Sequence, residues 1–146
     1  MVRLKSPKDK GAGFERDLAK LLNEKVERGA FEKIPGSGAI GTLLHEGLLT
    51  ADLKGKVYGL PKPLKIECKV GYGGETQLTL KREWLNKVMM EAEQTYALPM
   101  LFGKFSGARK ADGVQVFCVM DVDTVIYLFN LISKLQETAE EEDGQS

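Results

Sequence analysis

Glu67-Cys68-Lys69 is the segment of this 146-residue chain with the plainest chemical potential. It lies in the run Leu64 to Val70, where Leu64, Ile66, Cys68 and Val70 point one way and Lys65, Glu67 and Lys69 the other. That is the period of a strand. It puts a carboxylate and an ammonium on one face, with the Cys68 backbone carbonyl between them. Carboxylate and carbonyl oxygens are the hard ligands that Mg²⁺ takes, with waters in its remaining positions. The ammonium can orient or help deprotonate a bound water, or offset charge building on a phosphate. Taken alone, the same pattern also describes many solvated charge pairs.

Two further carboxylates sharpen it. Asp52 stands 15 residues before Glu67, and the intervening Gly59-Leu60-Pro61-Lys62-Pro63 is turn-forming, so a hairpin can bring the two acids together. Such a pair repels unless a cation lies between them. The other reading is a polar residue that merely ends a loop. Glu15 sits in a helical stripe. With Phe14, Leu18, Leu22 and Val26 at about 0°, 40°, 80° and 120° on a helical wheel, Glu15 lies at about 100°. A carboxylate facing the core costs several kcal/mol unless it is paired or bound to a cation. A frayed first turn, tilting Glu15 into water, is the alternative. Gly36-Ser37-Gly38 is a flexible loop with a hydroxyl at its tip, able to approach a phosphate backbone closely. His45 is the single histidine, which excludes paired-histidine catalysis, and neither Cys68 nor Cys118 has the spacing of a zinc site.

The elements that must position these residues follow from periodicity. The spacing predicts a helix over 14–26, a short strand over 30–34, a loop over 35–41 and an ambiguous stretch over 42–49. Strands are expected over 50–58 and 64–70, then a helix over 81–96 with Trp84, Leu85, Val88, Met89, Ala92 and Tyr96 on one face. Residues 99–105 and 114–120 read as strands buried on both faces, and Asp121 or Asp123 can cap a last helix running to about 136. The apolar residues of that helix, from Val125 to Leu135, cover an arc of roughly 220°, far wider than a surface helix needs. It is either a core helix or a subunit interface, and in so small a domain the interface accounts for it better.

The order of elements indicates an α/β fold, a mixed sheet with helices on its faces, in one domain over 1–137. The segment 1–12 reads as a mobile basic arm and 138–146 as an acidic disordered tail. Lys plus Arg and Asp plus Glu both number 21, but five of the acids fall in the last ten residues, so residues 1–136 carry +5. A basic body permits a polyanionic partner. No apolar run approaches a membrane span and the N-terminus lacks a signal-peptide core. With two cysteines expected to be buried thiols, a reducing cytoplasm fits best, the host's if a virus encodes the chain.

Taken together, these residues resemble the PD-(D/E)XK nuclease superfamily, and more narrowly the archaeal-type Holliday junction resolvases. KGAGFERDLAKLLNE looks like their opening helix, PGSG like their serine-containing loop, ADL like their aspartate strand and IECK like their E-x-K strand. TLKREWLNKVMMEAEQ with PMLFGKF is similar to their next helix and returning strand, and the likeness covers roughly 8–105. The resemblance implies a restriction-endonuclease-like αβββαβ core with an extra C-terminal helix. It makes Glu15, Asp52 and Glu67, with the Cys68 carbonyl, a site for Mg²⁺ or Mn²⁺. Lys69 becomes the catalytic lysine, and Arg16 and Ser37 contacts near the scissile phosphate. Lys8, Lys10, Lys33, Gly36 and Gly38 complete the expected DNA surface. Two departures stand out: Ala51 replaces the proline of the superfamily name, and Lys33 stands where an arginine is frequent. An insertion over 40–49 can reshape that surface. The implied activity is metal-dependent resolution of four-way DNA junctions by a homodimer making paired nicks. Another endonuclease of the superfamily (repair, nicking or restriction type) and a non-catalytic branched-DNA-binding protein remain open beside it.

Overall fold

The computed structural model describes residues 7–34 and 52–144. Helix α1 (Pro7–Lys25) leads into strand β1 (Gly29–Lys33), followed by β2 (Leu53–Val57), β3 (Leu64–Val70), α2 (Arg82–Gln94), β4 (Leu98–Lys104), a 3₁₀ turn (Lys110–Asp112), β5 (Val116–Val119) and α3 (Val122–Gly144). The five strands form one sheet in the order β1-β2-β3-β4-β5. β3 and β4 run parallel, joined through α2, and every other neighbouring pair is antiparallel. The mixed sheet flanked by helices is the one the order of elements indicated, and it is the restriction-endonuclease-like fold that the resemblance implied.

Side-chain parity assigns the two faces. Phe14 and Leu18 of α1 join Phe31, Leu53, Leu64, Ile66 and Leu98 in one core. On the other face Glu67 and its neighbour Leu101 are buried, with Lys87 of α2 reaching Glu67. β3 is therefore covered on both sides, and its odd-numbered residues lie under α2.

Close contacts set the spacing of the elements. Asn23 of α1 clamps the backbone of edge strand β1. Its Nδ2 donates to the Phe31 carbonyl and its Oδ1 accepts from the Phe31 N–H, both at 2.8 Å. The Phe31 ring in turn packs closely against Gly55, where an added Cβ would meet the ring at 2.6 Å. Glycine is required there by proximity, not by backbone angle.

Several expectations are corrected. α1 begins at Pro7, so residues 7–12 of the expected mobile arm are helical. Proline in a first turn has no needed N–H to lose, and burial of Phe14 and Leu18 outweighs the cost of Gly11 and Gly13, about 1 kcal/mol each. α3 likewise continues to Gly144, through most of the segment expected to be a disordered tail. Its Glu-rich sequence favours helix, and Gln136 Nε2 donates to Glu140 Oε1 one turn on, at 3.5 Å. Strand β5 is an edge strand, only half-buried, and Cys118 on it is exposed rather than buried. Both cysteines are free thiols. Tyr96 leaves the predicted helical stripe: α2 ends at Gln94, and Tyr96 takes φ +52° with its ring exposed. The 35–41 loop, the ambiguous 42–49 stretch with His45, and the 40–49 insertion lie outside the described residues.

Candidate metal and nuclease site

The β2–β3 pairing carries two of the predicted carboxylates. Leu53 pairs with Ile66, and extending that register by one residue sets Asp52 opposite Glu67. Asp52 Oδ2 accepts a 2.7 Å hydrogen bond from the Cys68 N–H, which ties the aspartate to the middle of the Glu67-Cys68-Lys69 segment. The Asp52 carboxyl is pushed up to about 8. Burial is the main cause, followed by the charge of Glu67; the Cys68 N–H pulls the other way, and the charge of Glu15 and a hydrogen bond with it add to the rise. Three acids from α1, the start of β2 and β3 thus act on one another electrostatically.

Glu67 is almost wholly buried, with 3% of its side chain exposed. Its Oε1 meets two ammonium groups, Lys69 Nζ at 3.2 Å and Lys87 Nζ at 3.4 Å. Its Oε2 is buried and accepts no hydrogen bond from any described residue. Lys69 is held over the Trp84 ring, 4.9 Å from its centroid, with Tyr72 5.9 Å away and stacked edge-on against Trp84. This aromatic wall attracts the ammonium group and fixes its direction. Glu15, 14% exposed, pairs with Lys33 Nζ at 3.2 Å. The cost expected for a core-facing carboxylate is met by that ion pair.

Among the described residues, no three His, Cys, Asp or Glu side chains are gathered tightly enough to hold a metal ion. Glu15 and Glu67 are engaged by lysines instead, and Asp52 by the Cys68 N–H. The donor set nevertheless fits a hard divalent cation in two respects. Glu67 Oε2 is a buried oxygen without a hydrogen bond, and Asp52 carries a repulsion from Glu67 that a cation would remove. The Cys68 thiol is pushed up by burial, then by the charges of Asp52, Glu15 and Glu67, so it stays protonated and is no nucleophile.

The remaining predicted residues are less concentrated. Arg16 is exposed on α1, its Nε 3.8 Å from Asp17 Oδ1. Lys8 and Lys10 fall in the first turn of α1. Gly36, Ser37 and Gly38 lie outside the described residues. Sequence reasoning missed Lys87 and the Tyr72–Trp84 wall. The signal for Lys87 was present: one position before Val88 and three after Trp84, it stands beside the buried stripe of α2.

Residues 6–138 match the family described as "Phage putative PDDEXK endonuclease". Among solved structures the chain is similar to Archaeoglobus fulgidus Hjc, a Holliday junction resolvase from an archaeal hyperthermophile, with 22% sequence identity and a TM-score of 0.48. That similarity covers 64% of this chain and 66% of the archaeal one, just under two thirds of its length. No curated protein matches the chain.

Proposed function

From the chain's membership of the phage PDDEXK endonuclease family, shown by a match over residues 6–138, we propose that it is a structure-selective endodeoxyribonuclease that resolves four-way DNA junctions. The observation that carries the nuclease reading is the meeting of Asp52, Glu67 and Lys69 across β2 and β3, with the lysine fixed on Trp84. Asp52 and Glu67 would hold Mg²⁺ or Mn²⁺, and Glu15 and the Cys68 carbonyl would complete the ligand set. When bound, the cation supplies acidity to an attacking water and charge neutralisation at the phosphate.

The chain's own residues do the rest. Lys69, directed by its aromatic wall, steadies the nucleophile or the negative charge gathering on the phosphate oxygens. Arg16 and Lys33 lie on the α1–β1 side of the site, where exposed cations can hold backbone phosphates. Ser37, with Gly36 and Gly38, would approach the same backbone, and Lys8 and Lys10 would extend the basic track. Phosphate contacts carry no sequence information, so selectivity would come from the branched shape of the DNA.

Support for junction resolution in particular comes from α3. Val122, Ile126, Phe129, Ile132 and Leu135 are all exposed, and at 100° per residue they spread over about half the circumference of the helix. An apolar surface that wide calls for a partner, and a second copy of the chain would present two equivalent sites to a two-fold junction. No described helix is long and apolar enough to cross a membrane.

The test is cleavage of a synthetic four-way junction against linear duplex, flap and single strand, with and without Mg²⁺. Paired nicks on the junction alone are expected. Equal cutting of linear duplex would move the chain to another endonuclease role. Junction binding without Mg²⁺-dependent cutting would make it a binding protein. Asp52→Asn and Glu67→Gln should each lower kcat by at least about a hundredfold while leaving DNA affinity near wild type, since they remove electrostatic stabilisation of the transition state. A variant at wild-type rate would remove those residues from the site.

A further inference from the structure

The E-x-K segment accounts for one amine beside Glu67; the structure holds two. Lys69 and Lys87 meet the same oxygen of one carboxylate, leaving Oε2 bare. The two lysines are not equivalent. Lys69 is 17% exposed and is held over Trp84 and near Tyr72, so it has reason to stay when Glu67 changes partner. Lys87 comes from a different element, α2, and is 29% exposed. Among the described residues, Glu67 is its one ion-pair partner. It is the movable member of the pair.

A single carboxylate facing two ammonium groups is overcompensated at Oε1, and a divalent ion binding at Glu67 would add two more positive charges within a few ångströms. Like charges at that distance in a buried site repel strongly. Lys69 is restrained by its rings, whereas Lys87 has a long flexible stem and a path toward solvent. We propose that Lys87 is an exchange lysine: it stands in for the metal ion on Glu67 in the metal-free protein and is displaced when a divalent cation binds. Freed at the rim of the site, the ammonium is positioned to meet a phosphate of the bound DNA. This rests on the reading of Glu67 as a metal ligand, and it adds a residue that no part of the E-x-K pattern names.

The consequence is a linked equilibrium. Whatever free energy holds Lys87 on Glu67 is lost on metal binding, so removing the amine should tighten the metal and loosen the metal-free fold together. Mn²⁺ titration by calorimetry, without DNA, reads the first; thermal unfolding in chelator and in Mn²⁺ reads the second. Lys87→Met is expected to bind Mn²⁺ at least about fivefold more tightly than wild type, the low end of ordinary site coupling. It should melt lower than wild type in chelator and recover more of that loss in Mn²⁺. Lys87→Gln removes the charge but keeps a donor for Oε1, and carries the same expectation on affinity should the Met variant fold poorly. Lys87→Arg keeps the charge and should bind Mn²⁺ no more tightly than wild type.

Unchanged or weaker Mn²⁺ affinity in both neutral variants would overturn the exchange role and leave Lys87 as a structural ion pair. Glu67→Gln separates this from failure of the underlying reading. If wild type binds Mn²⁺ and Glu67→Gln binds it equally well, Glu67 is not a ligand and both readings fall. If Glu67→Gln abolishes binding and the Lys87 variants do nothing, only the exchange role falls.

Discussion

Asp52 is the residue on which the site's electrostatics turn. Its carboxyl sits at about 8 in the folded chain against an ordinary 3.8, raised first by burial and then by Glu67. The folded state therefore holds a proton that the unfolded state releases. That contribution to stability is complete below the ordinary value and is lost as pH rises through about 8. In chelator, the protein should melt at a lower temperature at about pH 8.5 than at about pH 5.5, and Asp52→Asn should flatten the difference. Scanning calorimetry of the two proteins checks this; an Asp52→Asn profile as steep as wild type would show that the pH response arises elsewhere. Divalent binding at the proposed site is expected to run the opposite way, strengthening as pH rises, because Asp52 would have to lose its proton to act as a ligand.

At the level of elements, α1, β1 and β2 form a stacked unit whose spacing decides whether Glu15 can reach Asp52. Asn23 links α1 to the Phe31 backbone, and the Phe31 ring lies over Gly55. Gly55→Ala drives a methyl into a buried ring and should cost about 1–3 kcal/mol, the usual range for overpacking. Asn23→Ala leaves the Phe31 N–H and carbonyl without their helix partner, also worth about 1–3 kcal/mol. Denaturant unfolding measures both. Since Asn23 and Glu15 share a helix, Asn23→Ala should also lower cleavage in the folded protein. Loss of stability with an unaltered rate would mean that the clamp serves the fold alone.

Across the whole molecule, charge and apolar surface are divided between different regions. The body over 1–136 carries +5, while the acidic residues of the C-terminal segment continue along α3. Junction affinity should therefore fall steeply between low and moderate salt, as backbone-led binding does, and a flat response would argue against phosphate contacts. The exposed apolar residues from Val122 to Leu135 have a separate consequence. Phe129→Glu with Ile132→Glu should convert a dimer to monomers in light scattering while the isolated fold persists, because neither side chain is buried in the described chain. An unchanged mass would place any subunit contact elsewhere.

Much of this was legible before any coordinates. Alternation along Leu64 to Val70 set Glu67 and Lys69 on one face, and the helical stripe of Phe14, Leu18 and Leu22 exposed Glu15 as an oddity, because local periodicity reports which side of an element meets the core. Periodicity is silent about what comes from other elements. It could not say that Lys33 would neutralise Glu15, that Trp84 would hold Lys69, or that Lys87 would share Glu67, since each contact joins residues whose meeting depends on sheet order and helix placement. The ends of α1 and α3 were misjudged for a related reason: glycines and acidic runs weaken a local signal, and packing or an unbroken helical register decides the boundary. The sequence alone determined the chemistry at hand, three carboxylates and an amine; only the tertiary structure decided which charges face one another at close range in a buried place, where the interaction is strong enough to matter.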